Sequence, residues 1–274
     1  MVKIDFVCPI EDLKRVPRKD LLEGIYGRFD HVLEARLEQD GRTPEAQEKL
    51  RKLFEHLIAR YDWRDYAEIQ KRHLAPENRH EAHNLLKYLN AAHFLEQKMR
   101  FVRLSGIEDR EPGRLLDLGA GPGHFDVICA WLGWDVLALD HPLTGPGRGD
   151  SINHLYHDLA EFWGIPRVLE AVNAQQPLQS MDGRFDAVTA FMINFNSVAR
   201  RGETPKEWSV DDWYFLLRDL NENRLTETGF VFLNPLEGLT SPDIWEAVAT
   251  HAEQPLPSQW VGKFTDFAFL EAAA

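Results

Sequence analysis

Apolar side chains recur at helical spacing through the first third of the chain. Leu21, Leu22, Ile25, Phe29, Val32 and Leu33 make one stripe, and Leu50, Leu53, Phe54, Leu57, Ile58 and Tyr61 make another, each opposite a charged face. Gly41-Arg42-Thr43-Pro44-Glu45 parts the two stripes, with Thr43 as N-cap and Pro44 as the first helical residue. A third helix is predicted after Pro76, through Asn84, Leu85, Leu86, Tyr88 and Leu89 towards Leu104. Beyond Gly113 the rhythm changes to short apolar runs alternating with amphipathic segments. Strands are predicted over 114–118, 135–140 and 167–172, then from Arg184 to Phe191 and from Phe230 to Leu233. Helices are predicted over 123–133, 151–163, Val210 to Asn223 and Asp243 to Ala249, with a helix between the third and fourth strands short or missing. Weak alternation from Gln259 to Leu270 suits an antiparallel hairpin at a sheet edge. Strand and helix in regular alternation predict an α/β fold with a mostly parallel sheet, preceded by a helical N-terminal part.

Composition narrows the picture. With 274 residues, 44% hydrophobic and 11% aromatic, the chain suits a well-packed globule of one large domain or a core with a cap. Its formal charge of −13, without a basic run, argues against nucleic acid as a partner. Cys8 and Cys129 are too few for a disulfide framework. No run of 18 apolar residues and no secretory leader is evident, so a soluble, cytoplasmic protein with no membrane partner is expected. His80 with His83 and His154 with His157 stand three apart, but no third ligand keeps spacing with either pair, and no metal is expected.

The candidate chemistry gathers at Leu115-Leu116-Asp117-Leu118-Gly119-Ala120-Gly121-Pro122-Gly123-His124-Phe125. An apolar run closing on three alternate glycines, with a helix-forming segment behind it, reads as a buried strand turning tightly into a helix, with room for a ligand to touch the backbone. The dinucleotide fingerprint G-x-G-x-x-G needs a third glycine where His124 stands, and no G-x-x-x-x-G-K-[ST] phosphate loop is present. The G-x-G-x-G after Asp117 resembles motif I of the class I S-adenosylmethionine-dependent methyltransferases. Trp134 to Asp140 is similar to that family's second strand, Arg184 to Phe191 to its fourth, and Leu225 to Asn234, with Gly229 as the break, to its helix, turn and fifth strand. The resemblance spans roughly residues 84–274.

That resemblance implies a Rossmann-like, seven-stranded, mostly parallel sheet with an antiparallel C-terminal hairpin, over residues 101–274, capped by N-terminal helices over 1–100. It implies methyl transfer from S-adenosylmethionine, with S-adenosylhomocysteine as product, to a small-molecule acceptor. Cofactor contacts are expected from Asp117, Gly119, Ala120, Gly121 and Gly123 in the turn, and from Asp140, 17 residues beyond Gly123, as a bidentate acceptor for the ribose diol. His141 adjoins it. Asn173, Ala174 and Gln175 take the place that reads adenine, Phe191 ends the fourth strand, and Lys87 or Tyr88 would donate to the methionine carboxylate. His141, Asn194 and Asn196 are the polar groups expected to orient the acceptor or take its proton. Phe191, Phe195, Trp208, Trp213 and Tyr214 are candidates to line an apolar acceptor pocket, with Trp213 also suited to the core. The oligomeric state is open. A partner protein that holds S-adenosylmethionine without turnover, and a nicotinamide oxidoreductase, are the competing readings.

Overall fold

A computed structural model describes residues 44–73, 88–89, 91–142, 150–193, 196–197, 206–235, 240–253 and 261–272. Helix α1 (Pro44–Arg60) begins at the expected proline, and Leu50, Leu53, Phe54, Leu57 and Ile58 form its buried stripe. The first stripe, Leu21 to Leu33, and Thr43 lie outside the described residues. A helix that the hydrophobic pattern does not announce, α2 (Trp63–His73), follows after two residues. The expected third helix is α3 (Ala91–Ser105), with Tyr88 and Leu89 in a turn ahead of it; residues 74–87 lie outside the described set. Gln70 and Tyr66 donate to the Leu89 carbonyl at 3.2 and 3.1 Å, which ties α2 to that turn.

The sheet follows: β1 (Arg114–Leu118), α4 (His124–Trp131), β2 (Asp135–Asp140), α5 (Asp150–Trp163), β3 (Arg167–Leu169), β4 (Phe185–Ile193), the small pair β5 (Asn196–Ser197) and β6 (Lys206–Glu207), α6 (Val210–Asp219), β7 (Leu225–Pro235), α7 (Pro242–Ala249), β8 (Gly262–Phe264) and α8 (Phe269–Ala272). Among the described residues the main sheet has six strands, in the order β3-β2-β1-β4-β7-β8. All neighbours are parallel except β8 on β7. Of the expected C-terminal hairpin, the described residues show one strand, β8, antiparallel to β7 at the sheet edge, followed by a helical turn. Gly229 does not break β7 either. The strand runs on from Leu225, because Phe185 pairs with Leu225 and an irregularity before Ala187 takes up the extra residues. Helix α6 starts on a capping box in which Ser209 and Asp212 serve each other's backbone N–H, and it ends in a π-turn, Leu220–Arg224.

Strands covered on both faces need apolar residues throughout, which is why β1 reads Leu-Leu-Asp-Leu without alternation. The two faces carry separate cores. Leu115, Ala138, Ala187, Phe191, Phe230 and Phe232 point to the face covered by α3, α4 and α5, and the side chains of α1 and α2 join this core directly. Tyr61, Trp63 and Tyr66 interlock with Phe162 and Trp163 of α5 at centroid distances of 4.7 to 6.1 Å. Arg72 and His73 both reach Asp158, at 2.6 and 2.7 Å. Leu116, Leu118, Leu139, Val188 and Val231 point to the other face, where Trp208, Trp213 and Trp245 pack. No helix among the described residues is long and apolar enough to cross a membrane.

Candidate functional site

Strand order reverses between β1 and β4: from β1 the chain moves outward through β2 and β3, then returns to β4 and continues to β7. In an open α/β sheet that switch point leaves a crevice beyond the strands' carboxyl ends. The β1–α4 turn lies there. Gly119, Gly121 and Gly123 have φ of 68°, 58° and 75°, the left-handed region in which a side chain is strained. The N–H groups of Gly119 and Ala120 donate to the Leu139 carbonyl at 2.7 and 3.2 Å, that of Gly121 to Asp140 at 2.9 Å, and that of Gly123 to the Ala120 carbonyl at 3.3 Å. The turn is therefore tied to the end of β2. It offers a ligand close approach to backbone rather than a nest of free donors, which is what a pyrophosphate would require.

Asp140 ends β2 and is 8% exposed. Its Oδ1 accepts from the His141 N–H at 2.7 Å, and its Oδ2 accepts from Gly121 and from Arg167 Nη2 at 2.6 Å. Both side chains of this ion pair are buried, and Arg167 Nε and Nη1 have no hydrogen-bond partner. With Oδ2 taken twice, one lone pair on Oδ1 remains. The bidentate diol contact expected from the sequence thus reduces to one direct acceptor while Arg167 holds its place. Over the turn stands Tyr156 of α5, whose ring would lie 3.6 Å from a Cβ on Gly121 and meets Tyr88 edge-on at 5.0 Å. Burial first, then Tyr88, pushes the Tyr156 phenol up, so it stays protonated.

Beneath the turn, on the same face, lies a buried polar cluster. Asp117 accepts from Thr189 Oγ1 at 2.6 Å; burial pushes its carboxyl up to about 7, against the pull of Thr189 and Lys98. Asp126, in the first turn of α4, has no exposed surface and no hydrogen-bond partner for either carboxyl oxygen. Burial and the neighbouring Asp117 raise its pKa well above the ordinary carboxylate range. His124 is 1% exposed with neither ring nitrogen hydrogen-bonded, and burial holds its pKa down at about 3, leaving the ring neutral. Lys98 of α3 faces Asp117 and Asp126 with its ammonium 5.2 and 5.5 Å from the ring centres of Phe101 and Phe191, and burial lowers its pKa. Cys129, buried next to both carboxyls, keeps its proton.

Of the residues the sequence nominated, Asp117, Gly119, Ala120, Gly121, Gly123, Asp140 and His141 come together at this crevice. Phe191 adjoins them, packed on Phe125 at 4.4 Å and Phe101 at 4.8 Å. Asn173, Ala174 and Gln175 form a loop after β3. The Asn173 amide donates to the Ala171 carbonyl and to Gln176, and Gln175, at φ 55°, donates to Asp212 at 2.9 Å. His141 Nδ1 lies 3.0 Å from the Pro142 carbonyl. Lys87, Asn194 and Phe195 lie outside the described residues; Asn196 opens β5, paired with Glu207. Trp208 and Trp213 do not line an acceptor pocket: both are core residues of the far face, because β6 and α6 lie behind the sheet. Tyr214 packs against His251 and Phe269. The sequence reading missed Lys98, Asp126, Tyr156 and Arg167. An acid inside Phe125-Asp126-Val127-Ile128 and an arginine opening a strand are the signals that mark two of them. Among the described residues no group of three or more His, Cys, Asp or Glu is arranged to hold a metal ion.

No family model matches the chain, and no curated protein matches it by sequence. Solved structures do. The glycopeptide N-methyltransferase MtfA aligns at 19% identity over 51% of this chain and 52% of that one, with a TM-score of 0.33. CalS10, an amino pentose methyltransferase from Micromonospora echinaspora, aligns at 18% over 51% and 50%, TM-score 0.34. A ribosomal protein L11 methylase from Lactobacillus delbrueckii subsp. bulgaricus aligns at 22% over 61% and 77%, TM-score 0.36. The chain thus spans about half the length of the first of these. By its own strand order, with the glycine turn at the switch point, the sheet is Rossmann-like.

Proposed function

We propose that the chain is an S-adenosylmethionine-dependent methyltransferase acting on a small-molecule acceptor. The observation that carries this reading is the β1–α4 turn, whose left-handed glycines present bare backbone beside a strand-ending carboxylate while the N–H groups of Gly119 and Gly121 are consumed by β2 and that of Gly123 by Ala120. A nucleoside with an amino-acid tail fits such a site, whereas the dinucleotide fingerprint's third glycine is replaced by the buried His124.

In this reading Gly119, Ala120, Gly121 and Gly123 pass under the ligand, and the free lone pair of Asp140 Oδ1 accepts from a ribose hydroxyl. Asn173, Ala174 and Gln175 border the adenine, with Phe191 and Lys87 towards the methionine end. The bound cofactor supplies an activated methyl group on a sulfonium. What the chain contributes is chiefly orientation of the acceptor and exclusion of water. His141, Asn194 and Asn196, beyond the ends of β2 and β4, are assigned that positioning, and His141 takes a proton where the acceptor must lose one. The helices within residues 1–100 serve as a cap, and residues 101–274 as the cofactor-binding part, of an enzyme working in the cytoplasm without metal.

Calorimetric titration with S-adenosylhomocysteine and, separately, with NAD tests the reading. Binding of the first and not of the second is expected, and the reverse would sink it. Gly121→Val forces a β-branched residue to φ 58°, a strain of roughly 1–2 kcal/mol, and fills the ligand's approach. It is expected to stay folded by circular dichroism and to lose S-adenosylhomocysteine binding; normal binding would remove the turn from the site.

A further inference from the structure

A carboxylate has about four lone-pair positions, and at Asp140 three are already taken inside the chain. Oδ2 accepts from the Gly121 N–H at 2.9 Å and from Arg167 Nη2 at 2.6 Å, and Oδ1 accepts from the His141 N–H at 2.7 Å. One position on Oδ1 is left. A ribose diol held by both hydroxyls asks for two.

The residue that takes the missing position belongs to the interior. Arg167 opens β3 beside Ala138 of β2, and its guanidinium reaches Asp140 at that strand's end. The Arg167 side chain is 6% exposed and that of Asp140 10%. Arg167 Nε and Nη1 are buried without a hydrogen-bond partner, so its one bond within the fold is the one to Asp140. Stability alone does not call for such a pair, since apolar side chains of similar volume commonly do as well or better. When a ribose arrives, either Arg167 lets go of Oδ2 or the ribose is held by one hydroxyl. Relative magnitudes decide: separating a buried ion pair costs more than one hydrogen bond from a hydroxyl to a carboxylate returns.

We propose that Arg167 determines specificity: by holding Asp140 Oδ2 it restricts the chain to reading one ribose hydroxyl, so that a nucleoside ligand lacking the other hydroxyl is accepted as well. This rests on the methyltransferase reading and departs from the bidentate diol contact that the sequence resemblance implies. Arg167 is a positioning residue here, acting on the ligand through Asp140.

The test compares S-adenosylhomocysteine with its 2′-deoxy and 3′-deoxy forms by calorimetry on the full chain at pH 7. In wild type one deoxy form is expected to weaken about ten-fold or more, and the other to stay within about two-fold of the parent compound. In Arg167→Met, with folding checked by near-ultraviolet circular dichroism, the freed Oδ2 takes the second hydroxyl, and both deoxy forms are expected to weaken against the parent. Arg167→Gln carries the same expectation should the methionine variant not fold. Arg167→Lys keeps a cation at Oδ2 and is expected to retain the wild-type pattern, whereas a merely structural arginine would shift all three affinities in parallel. Weakening of both deoxy forms in wild type overturns the proposal, as does weakening of neither, and as does an unchanged pattern in a folded Arg167→Met or Arg167→Gln chain. Each of those results leaves the methyltransferase reading standing as long as S-adenosylhomocysteine itself binds. A wild-type chain that binds none of the three compounds removes both readings.

Discussion

The two faces of the sheet are built from the same strands and differ in how they treat polar atoms. On the far face the buried acid Asp219 is fully engaged: it accepts from the Leu178 N–H at 3.0 Å and from Asn223 at 2.9 Å, among side chains that are mostly large and apolar, although Arg224 Nε there is buried without a hydrogen-bond partner. On the near face Asp117, His124, Asp126, Asp140 and Arg167 are all buried, and His124, Asp126 and Arg167 keep atoms with no hydrogen-bond partner. The far face is mostly an apolar core. The near face is a core interrupted by a cluster of buried ionisable groups whose hydrogen-bonding capacity is incompletely met within the chain.

The largest test of this contrast is Asp140→Ala. Removing one member of a buried ion pair strands the other, so Arg167, with three nitrogens then unbonded, should cost the fold about 3–5 kcal/mol in urea denaturation. Replacing Arg167 with Met in the same chain should return most of that loss. An Asp140→Ala protein as stable as wild type would mean that the near face holds no strained charge. Ligand affinity should fall as well, by roughly 1–3 kcal/mol, through the lost ribose acceptor.

Most of the sheet was legible in the sequence because parallel strands leave continuous apolar runs and tight glycine turns, which local chemistry alone imposes. Helix α2 was not. Trp63, Tyr66, Ile69, Gln70 and His73 are its buried side chains, but apart from Ala67 every residue between them is charged, so the stripe shows only once Phe162 and Trp163 are there to meet it. Gly229 misled for a related reason, since whether a glycine breaks a strand depends on what the partner strand absorbs by an irregularity. In the site, residues that a motif places were found, while Lys98, Asp126 and Arg167 matter through tertiary neighbours that no spacing rule encodes. Asn194 and Lys87 lie outside the described residues.

A subtler test follows from protons. Asp117, ordinarily near 3.8, titrates at about 7 in the fold, and Asp126 is raised too. Between about pH 4 and pH 6.5 the native state therefore holds protons that the unfolded chain has released, and each of these groups makes stability fall as pH rises. His124 acts in the opposite sense. Its pKa drops from 6.5 to about 3, so the unfolded chain binds the extra proton, and stability rises with pH over the same window. Relative to wild type, His124→Gln should steepen the decline by about 1.4 kcal/mol per pH unit, and Asp126→Asn should shallow it by a similar amount. Denaturation curves at pH 4.5, 5.5 and 6.5 measure both. Parallel curves for all three proteins would show that these groups are solvated rather than buried.

The smallest effect is expected at the edge of the site, where the near face meets solvent. Gln175 holds φ 55°, which costs a side-chain-bearing residue about 1 kcal/mol, and its amide makes one exposed bond to Asp212. Gln175→Gly relieves the strain, loses a hydrogen bond worth about 0.5 kcal/mol and adds roughly 0.5–1 kcal/mol of unfolded-state freedom, so stability should stay within about 1 kcal/mol of wild type. If the loop borders adenine, both S-adenosylhomocysteine and 5′-methylthioadenosine should weaken together, by about three-fold, because both carry that base. Unaltered affinity for both probes in the glycine variant would detach residues 173–175 from the site and leave the turn and Asp140 to bind the ligand.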